Sequence, residues 1–140
     1  KVLGDVDELS DELKEMVAHT NEISQRYEGF QANICLNYGG RAEIVKAAER
    51  YAADLAAGKV QPGLDEAGFA SYLYSAGIPD PDLLIRPGGE KRLSNFLLWQ
   101  CAYSEFYFTD VLWPDFTSEE LDKAIQEFHR RDRRYGGVKA

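Results

Sequence analysis

Three short apolar runs, each closed by a turn and set apart by amphipathic stretches, constrain this chain more than any other feature. Phe30 to Leu36 lies between Gly29 and Asn37-Tyr38-Gly39-Gly40, Leu83-Leu84-Ile85 runs into Arg86-Pro87-Gly88-Gly89, and Phe106-Tyr107-Phe108 follows Glu105. Runs this short read as buried strands rather than helices. Between and after them lie segments of helical period. Leu9, Leu13, Met16, Val17 and Ile23 predict a helix over roughly 8–27; Ile44, Ala48, Tyr51 and Leu55 predict a second, stopped near Gly58. Phe69, Tyr72 and Leu73 mark a third, closed by Gly77, and Ser94 to Gln100 suggests a short fourth. Thr117 with Glu120 three residues on has the form of a capping box, opening a helix with Leu121, Ala124, Ile125 and Phe128 on one face. Helices alternating with short buried strands predict an α/β fold with a mostly parallel central sheet flanked by helices. The opening Lys1-Val2-Leu3-Gly4-Asp5 reads as a strand end running into a loop, and so predicts further residues upstream.

The 140 residues suit one domain, and 44% hydrophobic content allows a core. A net charge of −8 argues against nucleic acid as a partner. Cys35 and Cys101 have neither metal nor redox spacing and read as buried free thiols in a reducing compartment. No run of about 18 apolar residues suggests a membrane span.

In an open α/β sheet ligands bind beyond the carboxyl ends of strands, so the loop after Leu83-Leu84-Ile85 is the first place to look. It holds Arg86, Gly88, Gly89, Arg92 and Ser94. Glycines let the backbone approach a ligand, and arginine forks match phosphate oxygens. Ser94 offers a hydroxyl and a helix start. A diphosphate pocket and a solvated glycine-rich loop both fit. Glu105, among apolar neighbours, could ligate Mg²⁺ or pair with an arginine. Asn37-Tyr38-Gly39-Gly40-Arg41 reads as a strand-to-helix turn, with anion binding by its amides as the alternative. The arginines of 130–134 form a solvated helix end or reach into a partner's site. His19 and His129 lack a second ligand at metal spacing, and Trp99 and Trp113 read as core.

The segment from Ile85 to Gln100, Ile-Arg-Pro-Gly-Gly-Glu-Lys-Arg-Leu-Ser-Asn-Phe-Leu-Leu-Trp-Gln, resembles the signature of undecaprenyl diphosphate synthases, members of the cis-prenyltransferase family. The resemblance extends through Tyr103-Ser104-Glu105, Trp113-Pro114-Asp115-Phe116, the Asn37–Arg41 motif, Gly4-Asp5 and the tail Arg134-Tyr135-Gly136, and so covers essentially the whole chain. It implies a transferase that condenses isopentenyl diphosphate with an allylic diphosphate into a Z-polyprenyl diphosphate, a precursor of cell-wall lipid carriers. It implies that Arg86, Arg92 and Ser94 hold the isopentenyl diphosphate, that Glu90 supports them, and that Glu105 helps to place Mg²⁺. Arg134 and Gly136 would reach the neighbouring subunit's site in a homodimer, and Phe30 would line the far end of a product tunnel. The enzyme would be cytoplasmic, with a peripheral membrane contact. Pro87 departs from the family's threonine, at the loss of a hydroxyl and an amide donor. The family's His-x-Ala-x-Ile-Met-Asp-Gly-Asn-Gly-Arg-Trp motif, with its catalytic aspartate, is not found in the 140 residues. The expectation is therefore a C-terminal portion of a single cis-prenyltransferase domain, residues 1–140, inactive alone. The alternative is a non-catalytic accessory subunit; keeping Arg86, Arg92, Ser94 and Glu105 together favours the catalytic reading.

Overall fold

The computed structural model describes residues 1–131, which divide into two compact units, Lys1–Ile78 and the residues from Pro79 onward.

In the first unit, β1 (Val2–Leu3) and β2 (Ile34–Cys35) pair in parallel, Val2 opposite Ile34 and Leu3 opposite Cys35. A parallel pair needs a crossover, and α1 (Asp11–Ser24) supplies it after a short 3₁₀ turn, Val6–Glu8. Ser10 caps α1, its hydroxyl accepting from the Leu13 amide at 3.4 Å. α2 (Gly40–Ala56) follows β2 almost directly and turns Glu43 and Ala47, one helical turn apart, into the interior. α3 (Glu66–Ala70) is capped by Asp65, which accepts from the Gly68 amide at 2.7 Å.

The exit of β1 is fixed by a close backbone approach. Gly4 has φ +134, and a Cβ there would lie 2.0 Å from the Leu36 carbonyl oxygen. Only glycine fits. The Asp5 amide donates to the Asn37 carbonyl at 3.1 Å, and Asn37 Nδ2 donates back to the Asp5 carbonyl at 3.0 Å. Lys46 of α2 is ion-paired with Asp5.

In the second unit, β3 (Leu83–Arg86) and β4 (Glu105–Phe108) form a parallel ladder of four pairs, from Leu83 opposite Glu105 to Arg86 opposite Phe108. Side chains alternate across the sheet, so Leu84, Arg86, Phe106 and Phe108 share one face; the rings of Phe106 and Phe108 lie 6.1 Å apart. α4 (Ser118–Arg130) then packs along β4.

Four sequence expectations need correction. The run Phe30 to Leu36 pairs only at Ile34 and Cys35, and Ile34 is 62% exposed, because among the described residues β1 is its only strand neighbour. Residues 94–100 form turns instead of a helix: Ser94, Asn95 and Leu97 have φ of 49, 67 and 43. Left-handed residues so closely spaced cannot continue an α-helix. Thr117 is the N-cap residue of α4 but makes no cap hydrogen bond, and Glu120 pairs with Lys123 instead of turning back. Trp113 is 75% exposed; it stacks on Phe116, with centroids 6.1 Å apart, in a 3₁₀ turn outside the core.

Candidate functional site

Beyond the carboxyl end of β3 the chain turns back through Pro87, Gly88 and Gly89. The Gly88 amide donates to the Val111 carbonyl at 2.8 Å and the Gly89 amide to the Thr109 carbonyl at 2.9 Å. Both glycines have positive φ. Their amides are thus spent on holding the loop against the exit of β4, and it is side chains that the loop presents to a ligand.

Those side chains converge. Arg86 Nη1 donates to Ser94 Oγ at 3.1 Å, and Arg92 Nε donates to the same oxygen at 3.2 Å. Arg86 also donates to the Arg92 carbonyl, and Arg92 is ion-paired with Glu90. The left-handed conformation of Ser94 turns the chain at this point. Two cationic forks gathered on one hydroxyl, in an exposed setting, form a cradle for an anion with several oxygens. A cavity of about 220 Å³ lies against the cradle, lined by Leu84, Ile85, Leu93 and Phe96 with Arg86 and Arg92. One wall is cationic and the rest apolar, which suits a ligand with a charged head and a hydrocarbon tail.

Glu105 is not in this cluster. It opens β4 opposite Leu83, three residues short of the pair of Arg86, about 10 Å along the strands. The alternation of the ladder also places it on the opposite face from Arg86. Its carboxylate accepts from Arg131 Nη1 at 2.8 Å. Arg131 donates as well to the Phe106 carbonyl at 2.9 Å and is paired with Glu127 at 3.4 Å. The bond to Glu105 raises the Arg131 pKa further above its ordinary value. Sequence reasoning left open whether Glu105 meets an arginine or a metal; the arginine is present, and Arg131 was not singled out as its partner. The signal available was the arginine cluster at the end of the amphipathic helix that is the next α-helix after β4.

The donor chemistry at Glu105 suits Mg²⁺ in one way only. Among the described residues no group of three or more His, Cys, Asp or Glu side chains is placed to hold a metal ion. A single carboxylate holds Mg²⁺ when phosphate oxygens and water complete the octahedron.

Beside this ion pair runs a groove of about 510 Å³ between β4 and α4. Lys91, Lys123, Arg130 and Arg131 line it, with Phe106 and Glu127. Lys123 is held by Glu120.

The Asn37–Arg41 turn in the first unit is served from within. Glu43, 1% exposed, accepts from the Tyr38 hydroxyl at 2.5 Å and from the Tyr74 amide at 2.8 Å. Its carboxylate lies in the first turn of α2, where the helix dipole favours negative charge. Arg50 lies over the Tyr74 ring, 5.3 Å from its centroid, and the Tyr74 hydroxyl is buried without a hydrogen-bond partner. Burial raises the Tyr74 pKa. Sequence reading missed Glu43, since one acidic residue in an amphipathic helix looks like any solvated one.

Phe30 is 96% exposed. Cys101 is buried and Cys35 half-buried, both free, and burial raises both thiols. Arg134 and Gly136 lie outside the described residues. No helix among the described residues is long and apolar enough to cross a membrane.

A family model described as undecaprenyl diphosphate synthase matches residues 1–136. An isoprenyl transferase of Prochlorococcus marinus is 50% identical over all of this chain and 52% of its own length. A tritrans,polycis-undecaprenyl-diphosphate synthase (geranylgeranyl-diphosphate specific) of Thermoplasma volcanium is 46% identical over 97% of this chain and 53% of its own. Among solved structures, lavandulyl diphosphate synthase from Lavandula x intermedia, in complex with dimethylallyl diphosphate, superposes with a TM-score of 0.92 at 39% identity, covering 98% of this chain and 59% of that one. The chain thus spans about half the length of the curated relatives it matches.

Proposed function

Because this chain belongs to the undecaprenyl diphosphate synthase family, we propose that it carries the isopentenyl diphosphate site of a cis-prenyltransferase that makes a Z-polyprenyl diphosphate. Residues 1–140 would form the C-terminal part of a single catalytic domain. The observation that carries this reading is the convergence of Arg86 and Arg92 on Ser94 Oγ beside an apolar cavity.

In this reading Arg86 and Arg92 hold the two phosphates, and the Ser94 hydroxyl donates a hydrogen bond to a phosphate oxygen when the guanidinium groups turn outward. Leu84, Ile85, Leu93 and Phe96 take the five-carbon tail and aim its double bond. Such fixation converts the meeting of two substrates into an effectively unimolecular step. Glu90 positions Arg92. Glu105 would hold Mg²⁺ together with phosphate oxygens, and the ion would supply neutralisation of diphosphate charge. Since Glu105 and Arg86 face opposite sides of the ladder, within one chain they would act on different phosphate groups. The allylic diphosphate and the catalytic aspartate would belong to the family's Asp-Gly-Asn-Gly-Arg segment. We further propose a cytoplasmic homodimer in which Arg134 and Gly136 serve the neighbouring subunit, a peripheral membrane contact through the lipid product, and a place for Phe30 at the tunnel floor.

The test is steady-state kinetics of the full-length enzyme. Arg86→Ala and Arg92→Ala should each raise the KM for isopentenyl diphosphate at least tenfold, the scale of a lost charge-assisted contact. An unchanged KM in both variants sinks the assignment.

A further inference from the structure

Lys123, Gln126, Glu127 and Arg130 recur at helical intervals and so share one face of α4. That face lines the groove beside β4, whose strand side is Phe106, Tyr107 and Phe108. A helix beside a sheet ordinarily turns apolar residues to it. Here a polar stripe meets aromatic residues, and about 510 Å³ stays open between them. Lys123 and Arg130 stand two turns apart, about 10 Å along the axis. Lys91 adds charge from the loop after β3, and Arg131 from the end of α4. Some of this charge is already committed: Lys123 is held by Glu120, and Arg131 by Glu105 and Glu127. Lys91 and Arg130 form no ion pair among the described residues. Glu127 is the one carboxylate of the lining, and even with Glu105 and Glu120 included the cations are in excess. Such a groove repels a bare cation and draws in a compact polyanion.

We propose that this groove is a second diphosphate site, separate from the Arg86–Arg92 cradle and independent of metal. The two cavities share no lining residue. Lys91 and Arg130 grip the anion directly, one as a point charge and one as a planar fork. Lys123 and Arg131 keep their carboxylate partners and contribute their field. Gln126 offers an amide donor. Phe106 and Phe108, with ring centroids 6.1 Å apart, form an apolar ledge on which a short prenyl tail can lie. That the groove takes an anion stands on these residues alone. The choice of diphosphate rests on the transfer reaction proposed above, in which each condensation breaks the allylic C–O bond and releases one diphosphate. The group then has two sources, the free leaving ion and the head of a prenyl diphosphate.

The test is calorimetry of the full-length enzyme in EDTA, with inorganic diphosphate as the probe. The double variant Lys91→Gln, Arg130→Gln should bind one diphosphate fewer per chain, with the KM for isopentenyl diphosphate unchanged. That KM also reports that the variant is folded. Arg130→Lys, which keeps the charge, should retain the site. Unchanged stoichiometry in the double variant overturns the proposal. So does a raised KM, which would assign these residues to the isopentenyl site, or a groove site that fills only when Mg²⁺ is restored. A second probe, S-geranyl thiolodiphosphate, separates the sources, and either answer upholds the site. Tighter binding than inorganic diphosphate assigns a prenyl head to the groove, and equal binding assigns the leaving ion. Failure of the cradle assignment is read separately, from the kinetics of Arg86→Ala and Arg92→Ala.

Discussion

The two units end their parallel strands in different ways. At the carboxyl ends of β1 and β2, the Lys46–Asp5 ion pair apart, the main polar contacts end on backbone or on buried groups. Gly4 abuts the Leu36 carbonyl, Asn37 bonds the Asp5 carbonyl, and buried Glu43 holds the Tyr38 hydroxyl and the Tyr74 amide. Beyond β3 and β4 the backbone is held by two glycine amides, and the polar side chains bond chiefly to one another in the open: Arg86 and Arg92 on Ser94, and Arg92 on Glu90. Contacts of the first kind cannot be exchanged without unfolding the turn. Contacts of the second kind, open to solvent, can be exchanged at little cost. Two loops with similar glycine content thus differ in purpose, and the difference lies in whether the polar groups are already committed.

The largest test of this contrast is the division of labour itself. Residues 1–140 alone should not elongate an allylic primer, because losing one substrate's site removes positioning worth about 7–11 kcal/mol. Measured elongation by a soluble preparation of these residues would defeat that view. Next comes Gly4→Ala, which drives a methyl group into the Leu36 carbonyl. It should destabilise by several kcal/mol, whereas Gly88→Ala, where a Cβ meets nothing within 4 Å, should cost only its positive-φ strain, about 1 kcal/mol. Equal denaturation midpoints for the two would erase the distinction between the units. A third measurement is pH dependence. The hydrogen bond from Lys46 lowers the Asp5 pKa below its ordinary 3.8 and raises that of Lys46 above 10.5. The pair's contribution is therefore complete between those values; it fades as pH falls through the depressed carboxyl pKa or rises through the elevated amine pKa. Asp5→Asn should flatten the acid limb of a stability–pH curve, and an unaltered limb would show that the pair is not felt. The smallest expected effect on stability is Phe30→Ala, since that side chain is 96% exposed. Its product-length distribution should shift upward if Phe30 bounds the tunnel, and identical products would remove it from that role.

Much of the second unit was legible in sequence. Leu83–Ile85 and Phe106–Phe108 are short apolar runs at the right distance, and they pair in parallel. The cradle was legible too, because Arg86, Arg92 and Ser94 lie within nine residues and local geometry suffices to join them. What sequence did not disclose depends on distant parts. Residues 94–100 carry apolar residues at helical spacing, yet left-handed residues at 94, 95 and 97 turn the chain instead. Glu105 and Arg131 are 26 residues apart, and their pairing follows only from how α4 lies on β4. Glu43 looks solvated until Tyr74, 31 residues later, is brought to it. The strand predicted over 30–36 shrank to two paired residues because apolar composition reports a tendency to be covered, and the described residues supply little cover there.

The β3–β4 ladder has a kinetic corollary. Its pairs join residues 22 apart, and the Arg86–Ser94 cluster lies on the connection between them, with its glycine amides tied to Thr109 and Val111 just past the second strand. The chain must therefore close a long loop before the cradle acquires its shape, and such non-local closures come late in folding. Anion-binding competence should appear in refolding together with the ladder and not before it, so that diphosphate binding itself times the arrival of the sheet.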